Sequence, residues 1–176
     1  MNSKVSTREM VLSAILISVG LILPIIFHSF GIAGQIFLPM HIPILIGAML
    51  LPPVLALTIG IITPILSSLL TGMPVLFPIA IIMVAELGTY GFIGSVMVRK
   101  FNLSNLVSLI IAMILGRISA GLMVAILAKF FSINLNPIIY VKTAIVTGIP
   151  GIVLQIVIVP TLAYSINQFY RLAVRK

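Results

Sequence analysis

The sequence predicts an all-α integral membrane protein, a bundle of six transmembrane helices with both termini in the cytoplasm. Three observations predict it. Hydrophobic residues make up 61% of the 176-residue chain and charged residues only 7%, with a mean hydropathy of +1.37. A soluble domain carries about a quarter charged residues. The apolar material comes in stretches long enough for a hydrocarbon core of ~30 Å, which takes roughly 20 helical residues per crossing. The basic residues gather at the ends of those stretches and form no nucleic-acid patch, although the net charge is +8. One transmembrane domain over residues 1–176, in contact with lipid, accommodates all of this.

The first span is expected over about residues 9–27. Its apolar run is long and lacks a small-x-small cleavage site, so it does not read as a cleavable signal. A glycine-rich loop follows over residues 28–38. The next apolar stretch, 39–70, exceeds one helix, and Pro52 and Pro53 divide it, because proline lacks the N–H donor and clashes in a helix interior. Span 2 is then 39–51 and span 3 is 54–70. Span 2 is short, so either Ile36 to Leu38 extend it or it covers part of the bilayer. Thr71-Gly72-Met73-Pro74 is a turn; span 4 is 75–98, span 5 is 106–131, and span 6 is 140–170 with Pro150 and Pro160 as kinks.

Orientation follows from the basic residues. With the N-terminus inside, Lys4, Arg8, Arg99, Lys100, Arg171, Arg175 and Lys176 are inner, and Lys129 and Lys142 are outer. This asymmetry places both termini in the cytoplasm and requires an even number of spans. The cell membrane of a prokaryote is the expected location.

Two charges fall deep inside apolar stretches, Glu86 in span 4 and Arg117 in span 5. A charge at that depth is costly and faces the bundle interior, as a substrate contact, an ion path or a structural pair. Tyr90 shares a helix face with Glu86. Gly116, Ala120 and Gly121 beside Arg117 allow close approach of a neighbouring helix. Glu86 and Arg117 can meet at similar depth, as a pair that fixes helix register, as contacts to a polar solute, or as both. Thr143, Thr147, Gly151 and Gln155 form a stripe at i, i+4 spacing on span 6, with Lys142 at its outer end. The stripe fits interhelical hydrogen bonding, or for Gln155 the lining of a cavity. His41 opens span 2 near the outer interface, where it is either hydrated or a ligand contact. Asn134, Asn136 and Tyr140 belong to an outer loop that an entering solute would meet first. Ser13, Ala14 and Ser18 give span 1 a small face, fit for packing within the bundle or for docking a partner.

Catalytic motifs are missing. The chain has no His-Glu-x-x-His, no Gly-x-Ser-x-Gly and no P-loop. It has no Asp for a dyad and no nucleotide motif with which to hydrolyse ATP. Cysteine is absent and the two histidines are far apart, so no metal site and no cofactor are expected.

The run Leu38-Pro39-Met40-His41-Ile42-Pro43, then Leu70-Thr71-Gly72-Met73-Pro74, then Glu86-Leu87-Gly88-Thr89-Tyr90-Gly91, resembles the substrate-binding S components of energy-coupling factor (ECF) transporters. Length, six spans and cytoplasmic termini fit over essentially the whole chain. The resemblance implies a non-enzymatic subunit that captures a vitamin or related micronutrient near the outer face. Its partners would be a transmembrane coupling protein and two ATPases, and it would carry the solute inward by toppling in the membrane. Members of this family contact the coupling protein through Ala-x-x-x-Ala on helix 1; here the nearest match is Ala14-x-x-x-Ser18. The substrate-contact candidates are Glu86, Arg117, Gln155, His41, Tyr90, Lys142, Thr147 and Asn134. Arg117 and Lys142 suit a carboxylate such as pantothenate; Glu86 suits a pyrimidine or pyridoxine-like amine. Neither preference survives if Glu86 neutralises Arg117. A solitary carrier using Glu86 as a proton-linked group is the alternative, and an intramembrane enzyme or structural bundle is a third.

Overall fold

Helix α1 (Thr7–Ser29) enters the bundle beside α4 (Pro53–Thr71) and α3 (His41–Leu50), while the four-residue α2 (Gly34–Phe37) lies on the last helix. An irregular π-type turn (Leu76–Ala80) leads into α5 (Ile81–Arg99), followed by α6 (Asn105–Phe131) and α7 (Pro137–Val174). The computed structural model describes residues 5–29, 31 and 34–174, with side chains to residue 168. Lys4, Arg175 and Lys176, counted above for orientation, lie outside the described residues, as does the side chain of Arg171.

The described residues are helical, without strands. Five helices are long and apolar enough to cross a bilayer. The second expected span is where the structure departs from the sequence reading. Leu38, at φ +50°, separates α3 from α2, so Ile36 to Leu38 do not extend that span as one continuous helix. Ten residues of α3 rise only ~15 Å, about half of a hydrocarbon core. Eight of those ten are buried, so α3 is surrounded by protein rather than lipid. It touches α1, α4, α5, α6 and α7 and is the axis of the fold.

Around it, α4, α5, α6 and α7 pack as neighbours in chain order. The α4–α5 seam is tight because Gly60 lies against the Leu87 carbonyl and Gly91 against the Ala56 carbonyl, leaving no room for a Cβ. The core under this seam holds Ile44, Leu45, Leu51, Ile59 and Leu87, all essentially inaccessible. The outward surface is apolar too. Val11, Ile15 and Ile22 of α1, Ile114, Ile118 and Leu122 of α6, and Val146, Val153 and Val157 of α7 are all exposed. A soluble monomer does not expose so much contiguous apolar area. Lipid is the solvent this surface fits.

The break at Pro52–Pro53 is pinned from α5. Leu51 O accepts from Ser95 Oγ at 2.6 Å and from Arg99 Nε at 3.0 Å, and Leu50 O accepts from Arg99 Nη2. These carbonyls end α3 and have no intrahelical donor. A guanidinium meets them with charge-assisted bonds in the place where lipid would offer nothing.

Candidate functional site

The middle of α5 carries Glu86 and, one turn on, Tyr90; α6 brings Arg117 to the same depth. Glu86 Oε1 accepts from Arg117 Nη1 at 2.8 Å and from Tyr90 OH at 2.7 Å. His41, the first residue of α3, places Nε2 3.7 Å from the same oxygen, and its ring lies 5.7 Å from that of Tyr90. Glu86, Tyr90 and His41 are at most 4% exposed, and Arg117 is 9% exposed. The helix-pair expectation thus holds in detail: antiparallel neighbours bring two isolated charges into contact.

Small residues make this contact possible. Gly116 has no side chain, and the Tyr90 ring occupies the space a methyl would take. That contact aims the Tyr90 hydroxyl along α5 at its own i−4 carboxylate. Ser119 Oγ adds a bond to Ala85 O at 3.1 Å, tying α6 to α5 next to the pair.

The cluster is incompletely satisfied. Arg117 Nη2, both nitrogens of His41 and Gln155 Oε1 are buried without a hydrogen-bond partner. Gln155, on α7 and fully buried, donates Nε2 to Leu38 O at a long 3.5 Å. Buried polar atoms in proteins are nearly always paired, by protein, water or ligand. Three such groups, on α3, α6 and α7, make this the candidate site.

The other candidates fall into separate groups. His41 is not at a wet interface as expected from its place in the sequence, because α3 begins inside the bundle and the ring is covered. Thr147 is half-buried and Thr143 exposed. The inward line of α7 is Gly148, Gly151, Gln155, Val159 and Ala163, so the expected stripe is right at its inner end and rotates outward at its outer end. Lys142 and Asn134 are exposed, and among the described residues no bond joins either to the Glu86 cluster. Asn136 instead caps α7, its Oδ1 accepting from Ile138 N at 3.0 Å and Ile139 N at 3.2 Å. On α1 the expected small face is divided: Ser13 turns inward with Leu16 and Gly20, while Ala14 and Ser18 face outward.

Sequence reasoning missed Leu38. Its carbonyl accepts from both His41 N, at 3.0 Å, and Gln155 Nε2. Its side chain lies against Gly148, and Gly151 receives the backbone of Ile36 and Phe37. The signal was present in Leu38-Pro39, since the residue before proline is pushed out of the right-handed helical region.

No characterised protein and no solved structure matches the chain. Residues 8–163 match the family model described as "ECF transporter, substrate-specific component". That span takes in every helix from α1 through most of α7, with all four members of the Glu86 cluster and Gln155, and the chain belongs to the ECF transporter substrate-specific component family.

Proposed function

We propose that this protein captures a vitamin or related micronutrient from outside a prokaryotic cell and releases it inward when docked on an ATP-driven coupling module. Membership of the family makes it a multi-pass membrane protein and the substrate-specific subunit of an ECF importer, working with an energy-coupling module. The finer reading adds the solute, the site, and partners consisting of one transmembrane coupling protein and two ATPases. It keeps both termini cytoplasmic, with α2 and α3 together as the second of six spans.

The observation that carries the site is the set of unmet polar atoms on Arg117, His41 and Gln155 around the Glu86 carboxylate. A solute leaving water must have its polar groups met by groups already in place, or desolvation prevents binding. Glu86 and Tyr90 orient Arg117, and Thr147 lies one turn before Gly151 on the same helix. Lys142 and Asn134 belong to the approach rather than to the cluster. Because Glu86 and Arg117 neutralise each other at 2.8 Å, charge no longer favours either a pantothenate-like or an amine-bearing solute. The exposed Ala14 and Ser18 face of α1 supplies the docking surface for the coupling protein.

The test is uptake in cells with and without the coupling module, with the co-purifying solute named by mass spectrometry. Uptake that requires the module supports the reading. Uptake that proceeds without it and collapses with a protonophore replaces it by a solitary carrier with Glu86 as the proton-linked group.

A further inference from the structure

The unmet atoms of the site have a definite polarity, and they surround one residue. Leu38 O is shared by His41 N and Gln155 Nε2, and the Leu38 side chain and Arg117 Nη2 both border the space over Gly148, 3.1 and 3.7 Å from where a Cβ would stand. Arg117 Nη2 can only donate. Gln155 Oε1 can only accept. A neutral imidazole at His41 donates from one nitrogen and accepts at the other. His41 and Gln155 are more than nine-tenths buried, and the Arg117 side chain is 11% exposed.

The two permanent charges in this space already cancel. Glu86 and Arg117 form a contact pair, and the α3 N-terminus adds no free donors: His41 N and Ile42 N are bonded to Leu38 O and Pro39 O, and Pro43 has no N–H. A carboxylate entering here would stand beside Glu86 and compete for the same guanidinium. A cation would face the second nitrogen of Arg117. With a neutral imidazole at His41, either leaves one net charge in a low-dielectric interior, where Coulomb terms are many times stronger than in water.

We infer that the site selects a small uncharged solute whose polar edge carries a carbonyl beside an N–H or O–H group, as in an amide, a lactam or a pyrimidine-type ring. The carbonyl meets Arg117 Nη2, the donor meets Gln155 Oε1, and His41 serves either. This rests on the solute-binding reading above and narrows it against carboxylates and ammonium compounds. Leu38 lies among the three groups in a left-handed conformation that a leucine rarely adopts. Such strain concentrates where a backbone is held for function.

The experiment uses the full chain in lipid nanodiscs and a small-molecule yeast extract separated by ion exchange at pH 7 into anionic, cationic and uncharged fractions. Thermal unfolding is followed with each fraction. The uncharged fraction should raise the melting temperature most, and Gln155→Leu should need at least ten times more of it for the same shift. A larger shift from either charged fraction overturns the inference, as does no shift from the uncharged one. An undiminished shift in Gln155→Leu also overturns it. The fraction comparison stands even if that variant does not fold. A charged solute carried only with the coupling module would sink this inference and leave the proposed function intact, whereas uptake without the module sinks the latter.

Discussion

The two ends of α3 are treated in opposite ways. At its C-terminal end, the carbonyls of Leu50 and Leu51 receive three hydrogen bonds from Ser95 and Arg99. At its N-terminal end, the His41 ring sits just as deeply in protein and has no hydrogen bond at all. One short helix therefore has a fastened end and an open end. The fastened end holds the α3–α4 break against α5, and the open end borders Glu86, Arg117 and Gln155. Anchoring and the proposed recognition are separated by ten residues, so changes at one end should leave the other's property alone.

The largest expected effect comes from breaking the pair at the open end. Arg117→Leu strands the Glu86 carboxylate, which costs about 3–5 kcal/mol, and also removes solute binding. Thermal unfolding and ligand titration in nanodiscs check both. Glu86→Gln combined with Arg117→Met should recover most of the stability without recovering binding. If the double variant stays as unstable as the single one, the pair is not the source of the loss.

The fastened end comes next. Arg99→Ala removes charge-assisted bonds to the Leu50 and Leu51 carbonyls and should cost about 1.5 kcal/mol, with solute affinity within twofold of the parent. A matching loss of affinity would join the two ends that the geometry separates. His41→Leu sharpens the contrast from the other side. Its ring has no hydrogen bond, only a 3.7 Å approach to Glu86, so stability should move by less than about 1 kcal/mol while solute affinity falls about tenfold, read by isothermal titration. The smallest change in the isolated protein should follow Ala14→Leu. Its side chain is outward on α1, so stability and binding should hold while assembly with the coupling module, read by co-purification, weakens.

Much of this arrangement was legible in the chain. The long helices follow from apolar length, and the meeting of Glu86 with Arg117 follows from two charges at matched depth on antiparallel neighbours. Tyr90 followed from i, i+4 spacing. The break at Leu38 and the late start of α5 were not drawn out, although both precede a proline, Pro39 and Pro78. Phe77 is extended at φ −123°, ψ 129°, as a residue before proline favours. His41 was misplaced because position near a span end implies an interface only when the span crosses the whole bilayer, and α3 does not. The inward face of α7 could not be phased from Thr143 and Thr147. Its register is set by α2 lying on Gly148 and Gly151, a tertiary contact that helical periodicity alone does not encode. The bonds from Ser95 and Arg99 to α3 span more than forty residues and have no local signal.

Ser18 holds the second small position of the docking face proposed on α1. Its hydroxyl is turned back onto the Ala14 carbonyl at 2.9 Å, which leaves a partner helix facing a methylene and an already occupied oxygen. In steric and polar character the position then behaves as alanine would. A coupling protein that grips by close van der Waals fit has no donor there to satisfy, and Ser18→Ala should pass unnoticed in assembly.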